Sequence, residues 1–228
     1  MVQKQKMNKK TVFITGATRG IGQAIYKKLK TENYKIITPA RQELDLNNNA
    51  SINRYIKTHK DLKVDILINN AGINFPQWIH ELTDENIQQH IQINLISPIK
   101  LIRAFSRHMI NQKWGKIINI SSIFGIVARG KQTMYCATKH GINGVTKALA
   151  LELGPYNILI NSVCPGFTNT ELIKRNSQEK NNAIIKDIPL GRFAEPVEIA
   201  KLVSFLISEK NTYINGAEIT IDGGFTCR

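Results

Sequence analysis

Thr15-Gly16-Ala17-Thr18-Arg19-Gly20-Ile21-Gly22 is the stretch that decides the fold. It ends the β-branched run Thr11–Thr15 and opens a helical pattern over Gly20–Lys30. Glycines let the chain turn tightly and bring backbone close to a ligand. A helix that starts at such a turn offers free N–H groups and the positive end of its dipole to an anion. Glycine-rich turns also serve as plain strand-to-helix connections. This one follows the first strand, where a dinucleotide-binding βαβ unit requires it, so Gly16, Thr18, Arg19, Gly20, Ile21 and Gly22 are candidate pyrophosphate residues.

Outward from that turn, apolar runs alternate with helical patterns. Strands are expected at Thr11–Thr15, Tyr34–Pro39, Asp65–Asn69, Lys116–Ile120, Ile158–Val163 and Glu218–Ile221. Helices are expected at Gly20–Lys30, Ala50–Lys60, Thr83–Ile96 running on towards Pro98–Asn111, Tyr135–Leu153 and Pro196–Ser208. Such alternation implies a three-layer, doubly wound parallel sheet, the Rossmann fold, in a single domain over residues 11–228. Ligands of these sheets lie beyond the carboxyl ends of the strands. One segment fits poorly: Glu43–Leu46 would be the next parallel strand, yet hardly any chain separates it from Pro39, and a parallel crossover needs a dozen or so residues. Either that strand is vestigial or its helix has been lost.

Bulk properties bound the function. With 228 residues, 42% hydrophobic and 21% charged, the chain is of ordinary globular type. Met1–Lys10 is polar, carries four lysines and reads as a flexible basic tail without the apolar core of an export signal. No apolar run is long enough for a bilayer span. Cys136, Cys164 and Cys227 are widely spaced and odd in number, which argues against a zinc site or a disulfide framework and for a reducing cytoplasm. The net charge of +14 favours anionic partners, but the lysines are spread along the chain and no nucleic-acid-binding motif accompanies them.

At the end of the second strand an acidic residue would hold the ribose 2′-hydroxyl of NAD. The sequence there is Thr38-Pro39-Ala40-Arg41, with no carboxylate before Glu43. Arg19 and Arg41 would instead clamp a 2′-phosphate, which favours NADP(H); Glu43 is close enough to keep NAD(H) open. Tyr135 and Lys139 stand four residues apart at the start of a helix, on one face and one turn apart. An ammonium beside a phenol favours phenolate, and such a tyrosine exchanges a proton with an alkoxide. The spacing is weak alone, since Tyr26 and Lys30 repeat it on the first helix, where they read as packing. Tyr135 has better company. Ser121 and Ser122 close a strand, where a hydroxyl can donate to a carbonyl, although Ser122 also reads as a turn residue. Asn94 lies late in its helix, as a water anchor or a capping group.

Together these residues resemble the short-chain dehydrogenase/reductase family, over nearly the whole chain from Thr11 to about Phe225. The turn matches the family's Thr-Gly-x-x-x-Gly-x-Gly, and Asn69-Asn70-Ala71-Gly72 its Asn-Asn-Ala-Gly motif. Asp45-Leu46 matches the adenine-contacting pair, and Asn94, Ser122, Tyr135 and Lys139 the catalytic tetrad, with Ser122 thirteen residues before Tyr135. Pro165-Gly166 with Thr168 and Thr170 is similar to the segment holding the nicotinamide carboxamide, and Ile221-Asp222-Gly223-Gly224 to the carboxyl-terminal signature. The resemblance implies that Asn70, Ala71 and Gly72 support the adenosine side. It implies that Lys139 binds the nicotinamide ribose and lowers the Tyr135 pKa, that Ser122 polarises the carbonyl and that Asn94 holds a water. Hydride would come from NADP(H) or NAD(H), with no metal.

Within the family the look is that of 3-oxoacyl-(acyl-carrier-protein) reductases and related carbonyl reductases. The basic balance suits an acidic carrier, and a carrier or coenzyme A would present the substrate. Of the two basic docking positions, Lys113 matches one and Tyr156 stands at the other, so a free ketone, a sugar derivative or a polyol stays open. A non-catalytic cofactor sensor on the same fold is the other alternative. Glu171–Pro189 resembles the family's mobile substrate lid. The family commonly forms tetramers or dimers through helices equivalent to Pro98–Asn111 and Tyr135–Leu153; Val145, Leu149 and Leu153 form an apolar stripe on the latter, which core packing would also explain.

Overall fold

The computed structural model describes residues 9–227. Six strands, β1 (Lys10–Ile14), β2 (Tyr34–Ile37), β3 (Ile66–Asn69), β4 (Gly115–Ile120), β5 (Ile158–Pro165) and β6 (Glu218–Ile221), form one parallel sheet in the order β2-β1-β3-β4-β5-β6. Side chains alternate across it. Val12, Ile14, Ile66, Ile68, Ile118 and Ile120 meet Ile25 and Leu29 of α1 (Gly20–Lys30) and Ile199, Val203 and Leu206 of α8 (Pro196–Ile207). Phe13, Leu67, Ile117 and Ile160 face the other way. They meet Ile52 and Tyr55 of α2 (Asn49–Thr58), Leu101, Phe105 and Met109 of α4 (Ser97–Gln112), and Leu153 of α5 (Thr133–Leu153). β3, β4 and β5 are buried throughout, so apolar residues occupy both faces, with Asn69, Lys116, Asn119, Asn161 and Ser162 as buried polar exceptions. Each fully buried Ile or Leu contributes roughly 1.5–3 kcal/mol of transfer free energy.

One expectation needs correction. Lys10 is not part of a tail: it pairs with Tyr34 as the first residue of β1, and its ammonium lies 4.1 Å from the Trp114 ring centroid. The remainder of the tail, residues 1–8, lies outside the described residues. Glu43–Leu46 forms no strand. The carbonyl of Ala40 accepts from both the Glu43 and Leu44 amides, and the Glu43 carboxylate turns back onto the Ala40 N–H at 2.7 Å. Asp45 then accepts from the Asn47 amide, and Asn48 caps α2 through the amides of Ala50 and Ser51. These carboxylate and amide side chains satisfy the backbone locally, which leaves no ladder to form, so β2 is one edge of the sheet and β6 the other. Glu171–Pro189 holds two helices, α6 (Glu171–Lys174) and α7 (Gln178–Lys186), with Ile184 and Ile188 buried.

A third helix, α3 (Asp84–Ile91), runs into α4 through a wider π turn at Gln92–Ile96, closed by the Ser97 amide donating to the Gln92 carbonyl. No described helix is long and apolar enough to cross a membrane.

Candidate active site

The carboxyl ends of β1, β3, β4 and β5 stand side by side, and each delivers one part of the site. After β1, Gly16 and Gly20 take left-handed φ values of +67° and +55°. A Cβ at Gly22 would lie 2.2 Å from the Gly16 carbonyl oxygen and 2.3 Å from the Asn70 amide nitrogen, so only hydrogen fits. The turn is braced from β3. The Thr15 hydroxyl accepts from the backbone amides of Asn70 and Ala71, and the Asn70 side chain donates to the Thr15 and Gly16 carbonyls at 3.0 and 2.9 Å.

α2 and α3 are capped by Asn48 and Thr83. α1 begins after Arg19 with no side-chain cap and no acidic residue in its first turn, while Lys27, Lys28 and Lys30 occupy its last turn. Its amino end is thus left open and positive, the chemistry a pyrophosphate needs. A Cβ at Gly20 would lie 3.3 Å from the Thr170 methyl, which brings the segment after β5 against this turn. In that segment Gly166 donates to the Ile221 carbonyl and would clash with Asp222 if it bore a Cβ. Thr168 is buried with its hydroxyl on the Gly166 carbonyl.

At the adenosine edge, Arg41 is exposed and its Nε lies 3.6 Å from the Asp45 carboxylate. The Leu46 carbonyl accepts from Ser97 Oγ at 2.7 Å, tying this edge to the start of α4.

Asn94 lies inside the π turn, only 2% exposed. Its Oδ1 accepts from the Ile73 amide, and its Nδ2 donates to the Ile73 carbonyl and to Thr138 Oγ1. A Cβ at Gly72 would approach Asn94 Oδ1 at 3.3 Å and Lys139 Nζ at 3.6 Å, so Asn94, Gly72 and Lys139 converge. Lys139 Nζ donates to the Ile120 carbonyl at 2.7 Å and lies 5.5 Å from the Tyr135 ring centroid. The Ser122 side chain faces the Tyr135 hydroxyl closely enough to pull its pKa down. Ser122 Oγ accepts from the Phe124 amide, which leaves its proton available. Ser121 points elsewhere, onto the Lys139 carbonyl. Tyr26 and Lys30 do stack, at 6.0 Å, but near the other end of α1.

Burial around the hydroxyl pushes the Tyr135 pKa up, and the Ser122 side chain pulls it back. Burial lowers Lys139 from its usual 10.5 to about 8. Both groups sit where charge is poorly solvated, so the pKa of each is displaced in the direction of its neutral form. Cys164 lies fully buried beside them, its thiol pushed up by burial.

The sequence reading missed Thr138 and Asn143. Asn143 donates to the Gly125 carbonyl and continues the Tyr135–Lys139 face by a further four residues, a periodicity that was available. It also missed Phe124 and Phe167, whose rings form an edge-to-face series with Tyr135 at 6.4 and 6.0 Å between successive centroids.

Residues 38–226 match the family model described as enoyl-(acyl carrier protein) reductase. The 3-oxoacyl-(acyl-carrier-protein) reductase of Aquifex aeolicus is 35% identical, covering 96% of this chain and 98% of the relative. Two solved structures superpose over nearly the whole length. A 4-hydroxyisoleucine dehydrogenase mutant complexed with NADH and succinate has a TM-score of 0.91 at 31% identity, covering 96% of this chain and 99% of its own. ElxO with NADP bound has a TM-score of 0.88 at 27% identity, covering 96% and 100%.

The chain belongs to the short-chain dehydrogenase/reductase family. It is a nicotinamide-dependent oxidoreductase that interconverts a carbonyl and a secondary alcohol.

Proposed function

We propose that this oxidoreductase prefers NADP(H) and that Tyr135 is its proton donor, with a 3-oxoacyl group on a carrier-protein or coenzyme A thioester as substrate. The observation that carries the proposal is the convergence of Ser122 and Lys139 on Tyr135, with Lys139 Nζ 5.5 Å from the phenol ring centroid. Nicotinamide supplies or takes up the hydride when it is bound. The chain's own groups do the rest. Ser122, whose oxygen accepts from the Phe124 amide, donates its one proton towards the reacting oxygen. Tyr135, its pKa raised further by burial, holds its proton at neutral pH and gives it to a developing alkoxide. Lys139 keeps a positive charge near that phenol below about pH 8. Asn94 fixes Ile73 and Thr138 and so the wall behind Lys139.

The cofactor preference is supported by Arg19 and Arg41 and by Glu43, whose carboxylate is spent on the Ala40 amide. Asp45 beside Arg41 is the group an incoming 2′-phosphate would compete with. The thioester reading is supported by the 35% identity to the Aquifex aeolicus reductase. A cytoplasmic homo-oligomer is proposed on the free thiols of Cys136, Cys164 and Cys227 and on the family's habit. Leu149 and Leu153 do not argue for the oligomer, since both pack into the core.

Tyr135→Phe is expected to lower turnover of a 3-oxoacyl thioester by at least about a hundredfold while NADPH affinity stays within about twofold. Equal loss of cofactor affinity would assign the tyrosine to binding alone. In Arg41→Ala the NADPH-to-NADH affinity ratio, read by fluorescence titration, should fall about tenfold, the scale of one lost phosphate ion pair.

A further inference from the structure

Between the Ser122 turn and α5 runs a loop, residues 127–131, that carries two cations seated on rings from opposite walls. Arg129 Cζ lies 5.6 Å from the Phe167 centroid, on the segment after β5. Lys131 Nζ lies 4.7 Å from the Trp78 centroid, on the segment after β3. Two backbone bonds pin the loop. Gln77 donates to the Lys131 carbonyl at 2.9 Å, and Gln132 donates to that of Arg129 at 3.2 Å. Lys131 holds a left-handed φ of +65°, a conformation in which glycine is at ease, although Gly130 is its neighbour.

Among the described residues no carboxylate pairs with Arg129 or Lys131. Stacking fixes a cation without neutralising it and leaves its N–H edge free for an oxyanion. From Arg129 the rings of Phe167 and Phe124 lead back to Tyr135. The layout is therefore a cationic rim, an aromatic wall, then the reacting hydroxyl.

We infer that Arg129 and Lys131 select a substrate bearing an anionic group set away from its reacting carbonyl. This rests on the oxidoreductase reading above. The anion is the carboxylate of a free oxo acid or the phosphate of a phosphopantetheine arm, since both present the same oxyanion to a guanidinium and an ammonium.

Two matched pairs tell them apart: acetoacetate against methyl acetoacetate, and acetoacetyl-phosphopantetheine against acetoacetyl-pantetheine. In Arg129→Met/Lys131→Met the anionic-to-neutral ratio of kcat/KM is expected to fall at least about tenfold in one pair, through KM, and that pair names the source. Lys57→Met, an exposed change on α2, should leave the ratio alone. A ratio within about twofold of wild type in both pairs overturns the inference. Calorimetry on NADP-loaded Tyr135→Phe reads anion affinity without turnover. Anion binding that depends on Arg129 and Lys131, in a wild-type enzyme that reduces none of the four compounds, upholds the rim and sinks the reductase reading. Binding indifferent to both cations sinks the rim alone.

Discussion

Lys139 shows what the site costs its own residue. The side chain is 5% exposed, meets one carbonyl, and has its pKa drawn down to about 8. Displacement from 10.5 corresponds to about 3 kcal/mol of unfavourable charge burial at neutral pH. Losing the Ile120 hydrogen bond would cost about 1 kcal/mol. Lys139→Met is therefore expected to stabilise the fold by about 2 kcal/mol at pH 7, a rise in Tm of about 4–8 °C, while activity is lost. The sign with pH follows from a folded pKa below the unfolded one. The penalty is full below about pH 8, is relieved as pH rises towards 10.5, and is absent above it. The gain in Tm should shrink over that interval; a gain that grows would refute the assignment of the penalty to this ammonium. The sequence shows that Tyr135 and Lys139 share a helix face. It does not show how dry that face is, because the dryness comes from strands and loops far along the chain.

At the scale of elements, the turn between α3 and α4 is the telling one. Its residues read as uninterrupted helix, and only the structure reveals the wider turn at Gln92–Ile96 that places Asn94. Widened turns of this kind recur at functional sites because they re-aim one side chain inside an otherwise regular helix. Asn94→Ala leaves both the amide and the carbonyl of Ile73 without their partner. The expected loss is about 2–3 kcal/mol in denaturant unfolding. A loss below about 0.5 kcal/mol would mean that Ile73 is held by something else. Regular elements with clear ends were legible: α1 and β6 lie over the residues the sequence indicated. Glu43–Leu46 was legible only as a poor fit, a vestigial strand or one that had lost its helix, because the buried Leu44 plugs a turn that Glu43 closes and pairs with no strand. α6 and α7 were not foreseen, since their sequence is rich in Lys and Asn; Ile173 and Ile184 are buried anchors within them, and Ile188 follows. Arg129 and Lys131 were invisible for another reason: their partners Phe167 and Trp78 are remote in sequence.

For the molecule as a whole, stability should grade outward from the middle of the sheet. β3 and β4 are flanked by strands and buried at every position, whereas β2 is the outer strand and partly open. Native-state hydrogen exchange is expected to be slowest for amides in Ile66–Asn69 and Gly115–Ile120, and fast for outward-facing amides of Tyr34–Ile37. Equal protection in β2 would point to a partner covering that edge.

The shortened path from β2 to α2 has a consequence for how this fold tolerates change in chain length. Residues 40–43 close on themselves through bonds internal to that turn, and Arg41 projects outward. Lengthening a surface connection is cheap, about 0.6 kcal/mol for each doubling. An insertion at this point would disturb neither apolar layer, which makes it the place where the molecule could gain or shed a segment without refolding the rest.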